Sequence, residues 1–130
     1  MPNREGRVST EPLSARAERE ALRSPDDAGA RLRYGWALYG SGDAEGASVQ
    51  ARLAAGLTPA DAEAAYLLGM ALKAKGDAAG AVAAFRSAAS MAAGQEDSSR
   101  AAMLRRLAIG QANWLEKGAW DLEPETWVRT

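Results

Sequence analysis

Few side chains in this sequence are equipped for acid–base, nucleophilic or metal chemistry. It contains no histidine and no cysteine, which removes the commonest general base, the commonest transition-metal ligand, thiolate nucleophiles and disulfides. Carboxylates remain. Asp26-Asp27 and Glu123/Glu125 are paired acids of the kind that hold a hard cation or work in acid–base chemistry. Asp26-Asp27 falls at an expected helix start, however, where acids are favoured by the helix dipole alone. Gly40, Gly42 and Gly46 in the run GSGDAEG resemble a phosphate-cradling loop only superficially. Their spacing is not that of a dinucleotide fingerprint, and the run follows a helical pattern, not a strand. No G-x-x-x-x-G-K-[ST] sequence occurs, and Lys117-Gly118 has no earlier glycine at the spacing needed to make one. Arg105-Arg106 near Arg100 form a short basic stripe that suits a bound carboxylate or phosphate and equally suits a solvated helix face. The expectation is a chain with no catalytic residues, no metal and no cofactor.

Composition points away from several partners. Lys+Arg 16 against Asp+Glu 17 leaves a formal net charge of −1, with both signs mixed along 130 residues. Such a chain has no field to attract a phosphate backbone or an anionic bilayer, so neither nucleic acid nor membrane is expected as a partner. The N-terminal stretch is charged every few residues, and no apolar run reaches membrane-spanning length, giving a cytoplasmic expectation. With 31 alanines and 13 glycines, small residues fill about a third of the chain, a helix-rich and closely packed composition. One domain is expected at this length.

The elements that must position any site repeat. Shifting the chain by 34 residues lays Ala28–Asp61 over Ala62–Gln95 with 13 identities in 34, among them Gly35/Gly69, Leu38/Leu72, Gly42/Gly76, Asp43/Asp77 and Gly46/Gly80. Pro25 and Pro59 keep the same period, and Gly110 falls 34 after Gly76, which reads as a decayed flanking unit. Ser24-Pro25 and Thr58-Pro59 offer a hydroxyl N-cap followed by proline, so helices are expected to begin near Pro25 and Pro59. Ser41-Gly42-Asp43 and Lys75-Gly76-Asp77 supply a glycine for a left-handed helix end and an aspartate to cap the next helix. Each unit is then a helix hairpin closed by a turn of a few residues. A charged helix is expected from about 11 to 23, and a longer one from Ser98 marked by Met103, Leu104, Leu107, Trp114 and Leu115. The resulting division is a polar N-terminal arm at 1–10, a helical domain at 11–117 with repeats 28–61 and 62–95 and an end helix 98–117, and a tryptophan-containing arm at 118–130.

Residues 69–88, GMALKAKGDAAGAVAAFRSA, resemble a tetratricopeptide repeat, through Leu68-Gly69, Leu72, Ala81, Phe85 and Ala88. The preceding unit matches at Gly35, Leu38, Ala47, Ala54 and Pro59. It departs at Ala51, where the family has a bulky aromatic, and both units lack the early tryptophan, having Arg31 and Ala65 there. The resemblance implies an all-α, right-handed superhelix of hairpins whose first helices line a concave groove that binds peptides or other proteins. Independently of it, Gly35 and Gly69 cost about 1 kcal/mol each in mid-helix relative to alanine, which is tolerable where another helix must approach.

With Tyr34, Gly35 and Leu38 turned toward the partner helix, Leu32, Trp36 and Tyr39 lie on another side, and Tyr66, Met70 and Lys73 are their equivalents in the next repeat. By resemblance this row faces ligand. Family members that clamp a C-terminal carboxylate carry Lys and Asn at such positions, whereas Leu, Trp, Tyr and Met favour an apolar peptide or amphipathic helix. The alternative is that the row packs on itself inside the stack. Trp120 and Trp127 lie beyond the repeats and need cover: they either fold back over the last helix near Trp114 or dock on another copy or another protein. The function expected is a protein–protein interaction module, with a self-assembling subunit, built by end-to-end stacking and arm exchange, as its rival.

Overall fold

The structure, a computed structural model, describes residues 11–95 and 98–122. The expected arm at 1–10, the Glu123/Glu125 pair and Trp127 lie outside the described residues. Among those described there are six helices and no strand: α1 (Leu13–Arg23), α2 (Ala28–Gly40), α3 (Ala44–Leu57), α4 (Ala62–Ala74), α5 (Ala78–Ala93) and α6 (Ser99–Lys117).

The 34-residue period is physical. The starts of α2 and α4, and of α3 and α5, are each one period apart. So are their caps, since Asp27, Asp43, Asp61 and Asp77 each accept a hydrogen bond from the backbone N–H three residues on. The first helix of each hairpin ends at a glycine in the left-handed region, Gly42 at φ 92° and Gly76 at φ 87°. Gly46 and Gly80 recur because a Cβ there would strike the capping carboxylate of Asp43 or Asp77. Replacing Asp77 by alanine should cost about 1 kcal/mol of stability, read as a shift in the denaturation midpoint.

The expected starts near Pro25 and Pro59 are corrected by one turn. Ser24 and Thr58 do not cap the helices that follow. Their N–H groups still donate to Glu20 and Ala54 at 3.1 and 3.0 Å, so they end α1 and α3, and Asp27 and Asp61 take the capping role.

Consecutive helices pack as hairpins, an arrangement consistent with a tetratricopeptide-like stack. α2 packs on α3, α3 on α4, α4 on α5 and α5 on α6, while α4 also touches α2 and α6. One layer therefore holds α2, α4 and α6, and the other holds α3 and α5. Among the described helices α1 packs against α2 alone.

The two mid-helix glycines are points of contact. A Cβ on Gly69 would lie 2.6 Å from the ring of Phe85, which is wholly buried. At Gly35 the neighbours are Leu67 of α4 and the Cβ of Gln50 on α3, at 2.6 and 3.2 Å. In the first hairpin the buried Ala51 stands where Phe85 stands in the second, and Leu67 from the next helix fills the space against Gly35.

α6 is a single long helix. Gly110, one period after Gly76, lies inside it and forms no turn, in keeping with the single end helix expected at 98–117. Its buried side is made of Ile109 and small or polar residues, Ala101, Ala108, Gly110, Gln111, Ala112 and Asn113, leaving Met103, Leu107 and Trp114 exposed. After Gly118, left-handed at φ 72°, the chain turns back and Trp120 lies on Gly110, where an added Cβ would fall within the indole.

Candidate functional site

The predicted row is brought together on α2 and α4, but it is not uniformly open. Leu32 is 8% exposed and packs with Ala47, Ala51, Ala54, Ala64, Leu67 and Ala71. Tyr66, also 8% exposed, packs with Phe85 and the α5–α6 core. These two side chains are interior packing, a correction to their place on an open floor. The reason is α6 and α3, which close over the helix faces that a two-helix reading leaves free. Trp36, Tyr39, Met70 and Lys73 are half-buried.

Aromatic rings connect these helices. Trp36 meets Tyr39 edge-on at 5.9 Å between ring centroids and Tyr66 at 6.4 Å, and Tyr66 lies 5.3 Å from Phe85. Polar contacts then lace the layer across its width. Trp36 Nε1 donates to Glu63 Oε2 at 3.0 Å, and Glu63 also pairs with Arg100 of α6. Lys73 Nζ donates to Gln111 Oε1 at 2.8 Å, while Gln111 Nε2 donates to the Tyr66 hydroxyl at 3.3 Å. Burial pushes the Tyr66 phenol above its ordinary value, with the Gln111 amide acting in the opposite direction. It is therefore a neutral acceptor near pH 7 and no general base.

Sequence reasoning missed Glu63, Gln111 and Asn113. Asn113 is fully buried, accepts from Arg86 Nη2 at 2.8 Å and donates to the backbone carbonyl of Asp121. A polar residue on the alanine side of α6 was the only available signal, and it needs the facing helix to be read.

The open part of the row is Trp36. Between α1 and α2 lies a cavity of about 430 Å³, lined by Leu13, Ala17, Trp36 and Ala37 with Arg16, Glu20 and Arg33 among its walls. Leu13 is 70% exposed at its mouth. Arg33 and Glu20 face each other across the two helices at 3.4 Å, both exposed. An apolar hollow with charges of both signs around it suits an apolar side chain carried on a polar backbone.

Several of the other residues with chemical potential make structural contacts. The backbone N–H of Gly46, in the GSGDAEG run, is satisfied by Asp43 Oδ1 at 2.8 Å and does not face an open phosphate site. Asp27 caps α2, and Gly118 after Lys117 ends α6. Among the described residues no group of three or more carboxylates is placed to hold a metal, and no helix is long and apolar enough to cross a membrane. Trp120 rests on its own chain, 46% exposed. No protein-family model matches the chain, and no curated protein is significantly similar to it.

Proposed function

We propose that this chain is a tetratricopeptide-type protein–protein interaction module, without catalysis or cofactor, that receives an apolar side chain of a peptide or amphipathic helix between α1 and α2. The observation that carries this reading is the hollow at Trp36. A half-buried indole, tied to Glu63 at its nitrogen, presents apolar surface to an open cavity instead of being covered by α1. Its support is local: among the described helices α1 touches α2 alone, so within the described residues the α1–α2 seam is not backed by a third helix. Aromatic anchors in such hollows carry a disproportionate share of binding energy.

The test is a selection of short peptides from a display library on the purified protein, followed by affinity measurement on Trp36→Ala. Selected binders should carry a large apolar residue, and Trp36→Ala should weaken them about ten-fold or more with the helical circular dichroism signal nearly unchanged. Binders indifferent to Trp36 would sink the reading. Against the self-assembling rival, Trp120 of its single tryptophan arm rests on Gly110 of its own chain.

A further inference from the structure

The open hollow beside Trp36 has a filled counterpart inside the molecule. α3 is held between α2 and α4, and Leu32 of α2 packs there with Ala47 and Ala51 of α3 and Leu67 and Ala71 of α4. One 34-residue period before those residues stand Leu13, Ala17, Arg33 and Ala37, and all of them line the hollow. α1 also ends as α3 does, since Ser24 and Thr58, one period apart, donate back to Glu20 and Ala54. α1 and α2 therefore build the same two-helix seat as α3 and α4. Among the described helices, none lies on it as α2 lies on the inner one.

Charge distinguishes the open seat from the filled one. Around Gly35 of α2 stand Leu67 and Gln50, at 2.6 and 3.2 Å from an added Cβ, and Arg31 Nη1 donates to Gln50 Oε1 at 3.2 Å. One period earlier these two neighbours are Arg33 and Arg16, both exposed. Arg16 has no ion pair among the described residues, and the bond from Arg33 to Glu20 is solvent-exposed and therefore weak. A helix lying here as α2 lies on α3 and α4 meets two cations where α2 meets a leucine and an amide. Carboxylates at the places of Arg31 and Gly35 answer them. A second copy's α6 does not. Counted from the caps Asp27 and Ser98, Met103 falls where Leu32 does, but Arg106 falls at Gly35 and would meet like charge.

We propose that this seat takes an acidic amphipathic helix of a partner protein, antiparallel to α1, with a leucine against Ala17 and Ala37 and an Asp or Glu three residues later beside Arg16 and Arg33. The inference rests on the binding-module reading and names the partner's chemistry.

The probe is a labelled synthetic peptide of residues 28–40 carrying Arg31→Glu and Gly35→Glu, set against one carrying Arg31→Lys and Gly35→Lys, with binding to the full-length protein followed by fluorescence anisotropy. At low salt the glutamate peptide should bind about ten-fold or more tightly than the lysine peptide. Tyr34→Pro within the glutamate peptide, which breaks a helix, should abolish binding. Arg16→Glu in the protein should reverse the preference, a gain for the lysine peptide that misfolding does not produce. Equal affinities, no binding of either peptide, or a preference that Arg16→Glu leaves unchanged overturns the proposal. So does binding that survives the proline. Display-selected peptides that depend on Trp36 but bind in extended form, or without an acid, overturn the acidic helix and leave the binding-module reading in place.

Discussion

Gly69→Leu is expected to lower the unfolding free energy by about 3 kcal/mol, at the upper end of what overpacking a close contact costs. The site offers no relief. A Cβ alone would lie 2.6 to 2.9 Å from three atoms of the Phe85 ring. That ring is wholly buried between Tyr66 and the alanines of α5 and α6. α4 is also gripped on both sides by α3 and α5, so it cannot withdraw without opening a second contact. Against this, leucine gains up to about 1 kcal/mol of helix propensity over glycine, which the clash outweighs. Urea denaturation measures the difference, and an unchanged midpoint would show that the α4–α5 register is wrong.

Phe85→Ala should cost about 4 kcal/mol. Phe85 is the largest fully buried side chain among the described residues, and its removal empties the space between Gly69 and Tyr66. For a domain whose total stability is of the order of 5–15 kcal/mol, that loss leaves a substantial unfolded population on moderate warming. Because the two substitutions act on one contact, they should not add. Gly69→Ala on the Phe85→Leu background should cost less than Gly69→Ala alone, a coupling that a double-mutant cycle measures.

How much of this was legible depended on whether the signal was local. Gly-Asp-x-x-Gly at 42–46 and 76–80 prescribes a left-handed turn followed by a capped helix, and each residue acts within four positions of itself, so the hairpins could be read directly. The helix starts were misplaced because Ser24 and Thr58 satisfy the same local pattern as an N-cap, while their N–H groups are held by the helix before. Gly110 shows the limit of periodicity. The same residue at the same spacing as Gly76 sits inside a helix, since no aspartate follows it to start another. The candidate site was legible only in part. Helical spacing placed Leu32, Trp36, Tyr66 and Met70 in one row, but which of them stay open is decided by α1, α3 and α6, whose arrangement is not written in the row itself. The bonds of Glu63, Gln111 and Asn113 join helices 27 or more residues apart or reach the returning chain, beyond any local pattern.

The binding-module reading turns on one indole. In ¹⁵N-labelled protein, the Trp36 Nε1–H resonance reports both its hydrogen bond to Glu63 and the occupancy of the hollow beside it. On titration with a selected peptide, that resonance and the amides of Leu13, Ala17 and Ala37 should shift together and saturate with one affinity, while those around Phe85 stay in place. Saturable shifts confined to α6, or to no coherent surface, would contradict the account.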